Sequence, residues 1–488
     1  MSLAKSLPEI KGGPLGIVIV LSTAFLTFRL VLVFYRLWLH PLRNYPGPKL
    51  WAISDLPFTY VFNISGTSAK RIADFHRRYG PIIRIGPNRI AMDGSISWPQ
   101  VYARRQGGQP EFEKTPGIFA PGVENAIIAS PRDAHRRQRK QLAHAFSEAS
   151  MREQETTINQ YIKLLVKRVE EFAVVDQALN IVEWLNFTTF DIIGDLTFGE
   201  SFGSLESSNY HPWVRNIFQG IKADAFTRAC RNYPLFETLL ISLVGGEQAR
   251  QGDRNRALAR SKAQARMELG MTPKGRRDFM THMLQPTRDG KPGLSTTEIM
   301  ANSPLLVVAG SETTASALDT FQEGTEIDML STSQLEYLHA ALEETLRMYP
   351  PAVILPPRRS PGAEIEGRYV PPGVDCHVVP WATFRNPDHF LMPDSYYPER
   401  WLKPEHPLHE TRFAKDNRSV FKPFSNGPRD CIGKNLAYSE MRLIVAELLY
   451  RFDVELLPGQ EDWHAKQNAF LIWEKGPLFV KFTSRGVV

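Results

Sequence analysis

The sequence predicts a mainly α-helical fold with a small β region and an N-terminal membrane helix. Three observations lead there. Helical periodicity dominates long stretches, from Arg132 to Phe172 and from Asn180 to Phe198, whereas strand-like runs are short and few. An apolar segment from Pro14 to Trp38 is long enough, at about 1.5 Å rise per residue, to span a hydrocarbon core. The chain has 488 residues, 43% of them hydrophobic, so it can bury a large core, and no stretch has linker composition.

The anchor comes first. Arg29 interrupts the apolar segment and must snorkel, which leaves an interfacial helix as the alternative to a spanning one. Arg36, Arg43 and Lys49 follow the segment, against Lys5 and Lys11 with Glu9 before it, which places the bulk of the chain in the cytosol. The expected division is a membrane anchor over 1–40, a proline-rich neck over 41–50 carrying Pro41, Pro46 and Pro48, and one catalytic domain over 51–488. Ile82–Ile85 and Arg89–Met92, split by Gly86-Pro87-Asn88, read as a hairpin. Ser295 with Glu298 predicts a capping box opening a helix that runs through Val308, with Pro304 inside it as a kink signal. Ser331 with Gln334 predicts a second box, opening the helix that carries Leu338, Leu342 and Leu346. Strand-like and Pro-rich coil follows from Pro350 to Phe424, and an amphipathic helix is expected from Lys434 to Tyr450.

Charge and cysteine usage exclude several classes. The net charge of +6 is mild for this length and the basic residues are scattered, so no nucleic acid is expected as a partner. Three cysteines, Cys230, Cys376 and Cys431, are too few for a disulfide framework and fit a reducing, cytosol-facing environment. There is no Gly-rich dinucleotide or phosphate loop, so the chain has no evident site of its own for NADPH.

Chemistry concentrates in four places. In Phe424-Ser-Asn-Gly-Pro-Arg-Asp-Cys431-Ile-Gly433 a tight loop delivers one sulfur to the start of a helix, where unpaired N–H groups and the dipole favour a thiolate. A thiolate in an apolar loop is what a haem iron takes as axial ligand. Taken alone, a lone cysteine is more often structural. Glu344 and Arg347 lie three apart on one helical face, with Arg400 some fifty residues on in Pro398-Glu-Arg-Trp401. Ala309-Gly310-Ser311-Glu312-Thr313-Thr314 puts a glycine in a helix and a hydroxyl beside a carboxylate, a pairing that relays protons. Finally, His135 and Arg139 share a helical face, with Arg429 and Arg358 elsewhere as further cations for a carboxylate-bearing ligand. Arg136, Arg137 and Lys140 are expected to face an acidic electron-donating partner.

Phe424, Gly427, Arg429, Cys431 and Gly433 match the haem-binding signature of the cytochrome P-450 family at all five fixed positions, and the chain resembles a membrane-bound fungal member over almost its whole length. Tyr35-Arg-Leu-Trp-Leu-His-Pro41 and Ala134-His-Arg-Arg-Gln-Arg139 are similar to filamentous-fungal members, some of which act on sesquiterpenoid toxins, of the isotrichodermin-hydroxylase kind. The resemblance implies the cytochrome P-450 fold. It also implies haem b (iron protoporphyrin IX) with Cys431 as axial thiolate, and Glu344, Arg347 and Arg400 as a structural charge triad.

On the same resemblance Glu312 and Thr313 handle protons, and Ala309 and Gly310 line the distal pocket. Arg429, Arg139, His135 and Arg358 contact the propionates, with Phe424 and Gly433 also at the cofactor. The substrate pocket would draw on Leu306 to Ala309, Ala352 to Leu355, the 117–128 loop and Phe470-Leu471. The implied reaction is insertion of one oxygen atom from O2 into an apolar small molecule, a terpenoid or other secondary metabolite. Electrons come from NADPH through a separate NADPH–cytochrome P-450 reductase, and the enzyme sits in the lipid of the endoplasmic reticulum membrane. Two alternatives stay open: a haem-thiolate isomerase or dehydratase, and an inactive haem-binding copy. The second follows from a departure, since only 32 positions separate Glu312 from Glu344, so that the 315–335 segment looks shortened by roughly twenty residues at ordinary helix lengths.

Overall fold

Every residue of the helix Ile181–Phe198 is buried except Glu183, because the run is apolar on all faces and its few polar groups find partners inside. Asp191 accepts from the amides of Ser204 and Leu205 at 3.1 and 2.8 Å, and Asp195 accepts from the Tyr161 hydroxyl at 2.7 Å. Gly199 ends the helix in the left-handed region, φ 72°, as a C-terminal glycine does. The computed structural model describes residues 14–119, 123–233, 246–271, 275–287, 290, 293–311 and 327–486. Glu148–Val174 and the central helix Thr296–Ser311 both pack on Ile181–Phe198, and Lys434–Arg451 packs on Glu148–Val174. Their apolar faces form one core; each fully buried phenylalanine in it, such as Phe190 and Phe279, stabilises the fold by about 1.5–3 kcal/mol.

Three expectations change at this level. The stretch from Arg132 to Phe172 is two helices, Arg132–Leu142 and Glu148–Val174; Ser147 caps the second through its hydroxyl, which accepts from the Ser150 amide at 3.3 Å. The Ser295–Glu298 capping box forms, but the Ser331–Gln334 one does not. Asp328 is the N-cap instead, with Ser331 closing its box from the third position of the short helix Met329–Ser333, and Glu336–Met348 begins after Leu335 without a side-chain cap. Lys434–Arg451 is not amphipathic in its packing: polar Glu440 and Glu447 are buried along with the leucines, because core surrounds the helix on most sides. The central helix continues through Pro304.

A five-stranded sheet runs in the order Ile82–Gly86, Arg89–Met92, Asp375–His377, Arg358–Arg359, Glu113–Lys114. The expected hairpin forms its edge, with Ile82 opposite Met92. The 41–50 stretch packs onto this sheet: Leu42 is fully buried, and the Arg84 amide donates to the Pro46 carbonyl at 2.6 Å. A Cβ on Gly47 would lie 2.3 Å from the Arg84 carbonyl oxygen, so only glycine permits that approach. Before it, Leu15–Leu39 is the one helix among the described residues long and apolar enough to cross a membrane, and none of its apolar window is buried in the protein.

Glu344, Arg347 and Arg400 meet with no exposed side-chain surface. Arg347 donates to both Glu344 oxygens at 2.8 Å and Arg400 to Oε1 at 3.1 Å. The Trp401 indole and the Tyr397 amide each donate to the same carboxylate at 2.9 Å. Asp416 pairs with the far side of Arg400, and Arg347 also holds the carbonyls of Phe384, Pro393 and Ser395. Burial alone would raise the Glu344 carboxyl; the two guanidinium groups and the hydrogen bonds outweigh it and hold it below the usual carboxylate value. Glu344→Ala therefore leaves the buried Arg347 without its counterion and Arg400 with Asp416 alone, and is expected to cost about 3–5 kcal/mol, read as a lowered denaturation midpoint by tryptophan fluorescence. A loss under about 1 kcal/mol would mean the carboxylate is not the hub of this network.

Candidate active site

The cysteine loop is shaped before its sulfur is considered. Gly427 adopts φ 79°, and a Cβ there would lie 2.1 Å from the Tyr102 carbonyl oxygen, so the loop sits backbone against backbone on the Trp98–Tyr102 turn. Asn426 fixes the same contact by donating to the Trp98 carbonyl at 3.0 Å. The Cys431 amide donates to the Phe424 carbonyl at 2.8 Å, closing the loop, and the Phe424 ring packs on Tyr438 at 5.1 Å. Gly433 is the N-cap of Lys434–Arg451, and a Cβ there would be 3.9 Å from both the Cys431 Sγ and the Phe146 ring.

Cys431 combines an exposed surface with an enclosed position. Protein crowds it enough that burial pushes the thiol up, opposed by the Gly433 N–H and the charge of Arg139. Burial thus works against the anion in the protein alone, while the helix-terminal N–H and the Arg139 charge favour it.

Cations from four elements form one group that reaches the cysteine loop through Arg429 and Arg139. Arg358 is buried, its guanidinium 4.8 Å from the Tyr102 ring centroid and its Nε without a hydrogen-bond partner. Arg429 donates to the Ser130 carbonyl at 2.9 Å. His135 is buried, and its pKa falls to about 3 through burial and the charges of Arg429, Lys114, Arg139 and Arg358. Lys114 belongs to this group and was not foreseen; it stands directly opposite Arg358 across two strands, a neighbour no local pattern could announce. Arg139, in contrast, is engaged by the cysteine loop, donating to Asp430 Oδ1 at 2.7 Å. Arg137 does not stand free for an acidic partner: it is paired with Glu298, whereas Arg136 and Lys140 are exposed.

The donor set fits a flat, iron-bearing ligand with two carboxylates. One soft sulfur is exposed in the loop, the buried Arg358 and half-buried Arg429 form no ion pair among the described residues, and Arg358 has an unused Nε–H.

On the central helix Ala309 is exposed although it lies on a core element, and Leu306 and Val307 are buried. Gly310 serves packing: a Cβ there would lie 2.8 Å from Ile193 Cδ1, so the missing side chain lets two core helices touch. Glu312 and Thr313 lie outside the described residues. Two of the segments expected at the substrate pocket touch each other, 352–355 and 470–471, and the 117–128 loop is tied to neighbouring helices. Asn302 of the central helix accepts from the Ile127 amide at 2.9 Å, Arg231 donates to the Phe119 carbonyl at 3.0 Å, and the Val353 amide donates to the Leu471 carbonyl at 2.9 Å. Gly310→Ala is expected to destabilise by about 1–3 kcal/mol through overpacking, and the cost to vanish in an Ile193→Ala background, measured as a double-mutant cycle in denaturant. Equal costs in both backgrounds would remove Ile193 as the reason for the glycine.

The comparisons agree with this geometry. The cytochrome P-450 family model matches residues 46–321 and 318–482. Cytochrome P-450 monooxygenase astJ of Aspergillus oryzae is 40% identical over 481 residues, covering 93% of this chain and 94% of that protein. The averantin hydroxylase of Dothistroma septosporum is 38% identical, covering 95% and 90%, and the trichothecene C-15 hydroxylase of Fusarium sporotrichioides is 36% identical, covering 94% and 96%. The solved structure of retinoic acid bound cyanobacterial CYP120A1 superposes with a TM-score of 0.70 at 24% identity, over 90% of this chain and 99% of that one, which speaks for the fold. With its cysteine loop and these relatives, the chain belongs to the cytochrome P-450 family and is a haem-thiolate monooxygenase of the fungal type.

Proposed function

We propose that this protein hydroxylates an apolar small molecule of fungal secondary metabolism, a terpenoid or another metabolite of that kind. It would use haem b, O2 and electrons passed from NADPH by a separate reductase, at the cytosolic face of the endoplasmic reticulum membrane. The observation that carries the reading is Cys431, exposed in a loop shaped by Gly427, with the buried Arg358 and the half-buried Lys114 and Arg429 forming one cationic group with His135. The relatives that hydroxylate averantin or a trichothecene support the substrate class, and the apolar anchor supports the membrane.

When bound, haem supplies the oxygen chemistry, with electron donation from the sulfur favouring O–O cleavage. The chain does the rest. Cys431 Sγ would ligate its iron, and Arg358 and Arg429, with His135, would hold its carboxylates. Apolar Leu306, Val307, Val353, Ile354 and Phe470 line or back the substrate space and exclude water. By its motif, Thr313 Oγ1 holds a proton and the Glu312 carboxylate passes one on. Glu344, Arg347 and Arg400 keep the coil in place and touch no reacting atom.

A second reading has its own observation. The family match is broken into two stretches that meet at 318–321, inside the segment where Glu312 and Glu344 stand too close in sequence, and this favours a copy that binds haem with little turnover. One reconstitution separates them: full-length protein in membranes with reductase, NADPH and candidate terpenoid and polyketide intermediates, read by mass spectrometry. New oxygenated products that require NADPH are expected. Product without NADPH would point to an isomerase or dehydratase, and haem without product to the inactive copy.

A further inference from the structure

Sheet register places two cations on one rung. Lys114 is the antiparallel partner of Arg358, and Arg358 in turn faces Cys376. Like charges directly opposite each other repel, and directly opposite residues lie within about 5.5 Å. The neighbouring rung is compensated, since Arg359 and Arg89 both approach Asp375, at 3.4 and 3.5 Å. The Lys114–Arg358 rung is not: among the described residues neither side chain forms an ion pair. Arg429 adds a third charge, and His135 faces the same cluster from the Arg132–Leu142 helix. The acids in range are Glu111, which pairs with Arg132 at 3.2 Å, and Glu113, which adjoins Lys114 on an alternating strand and so points to the other face. The Lys114 ammonium keeps one neutral acceptor, the Ile128 carbonyl at 2.6 Å, with the Phe119 ring at 5.8 Å.

An arginine cannot shed its proton under such pressure, whereas a lysine can. Burial, with Arg358 and Arg429 adding to it, drives the Lys114 pKa well below that of free lysine. We infer that Lys114 is a third cationic contact for the cofactor's carboxylates and that it takes up a proton as the cofactor loads, so that haem retention is coupled to pH through this one amine. This rests on the haem-thiolate reading above. The carboxylates supply the anions that the rung lacks and restore the lysine to its charged form. The sign follows: the charged form favours the loaded state, so retention is strongest below the pKa of Lys114 in the loaded protein and weakens as pH rises through it. In the unloaded protein, burial and the same cations hold the His135 pKa at about 3, below that range.

The test uses full-length holoenzyme, following haem transfer to excess apomyoglobin by absorbance between about pH 6 and pH 10, the span below free lysine's pKa. Wild-type loss should accelerate with pH. Lys114→Met should lose haem about tenfold faster or more at the low end, as expected for one missing charge-assisted contact, with little further pH dependence. Lys114→Arg, which keeps a permanent cation, should retain haem with a flat profile. An accelerating profile that persists unchanged in Lys114→Arg, or wild-type retention in Lys114→Met, overturns the coupling while leaving the haem reading intact. Wild-type protein that is folded but binds no haem overturns both.

Discussion

A single carboxylate with no exposed surface, Glu344, binds Arg347, Arg400, the Trp401 indole and the Tyr397 amide at once. Removing that many charges from water is costly, and an apolar substitute of the same shape could be as stable, so the network is best understood as specifying geometry. It ties the helix Glu336–Met348 to the coil from Phe384 to Asp416, a region with little regular structure of its own to hold it. The cysteine loop rests on that coil: Trp401 packs on Phe421 at 4.6 Å, and the loop begins three residues on, at Phe424. Trp98 fastens the same point from the other side by donating to the Val420 carbonyl at 2.7 Å. The position of one sulfur thus descends from a buried ion network about ninety residues upstream in sequence.

The second constraint is electrostatic. Where the Glu344 network is balanced, the space beside Cys431 is not: Arg358 and Lys114 share a rung, and Arg429 stands close enough to depress both Lys114 and His135. Buried charges without partners cost several kcal/mol each, so a fold that gathers them is built for an anionic ligand.

What was legible in the sequence is what is fixed by short spacing. Phe424 to Gly433 forms a loop because Gly427 takes a positive φ against the Tyr102 carbonyl, and Glu344 and Arg347 meet because three residues make nearly one helical turn. The anchor and the edge hairpin are equally local. What depends on tertiary pairing was hidden: Lys114 opposite Arg358, Asp416 on Arg400, Ile193 against Gly310, and Glu298 on Arg137. Ser331 misled because two cap-like residues lay three apart, Asp328 and Ser331, and the earlier one sits where the chain turns. Lys434–Arg451 misled because two of its acids, Glu440 and Glu447, are buried among the leucines instead of facing water. The fungal family and its chemistry follow from the loop and the relatives, while Glu312 and Thr313 stand outside the described residues.

The central claim is that the Cys431 sulfur is the axial ligand of a haem enclosed by these cations. The most direct measurement is the reduced–CO difference spectrum of the full-length protein beside Cys431→Ser. The account predicts a thiolate-type band in the wild type that disappears in the variant while helix content by circular dichroism is unchanged. A thiolate-type band that survives in Cys431→Ser, or a folded wild type with no haem absorption at all, would contradict it.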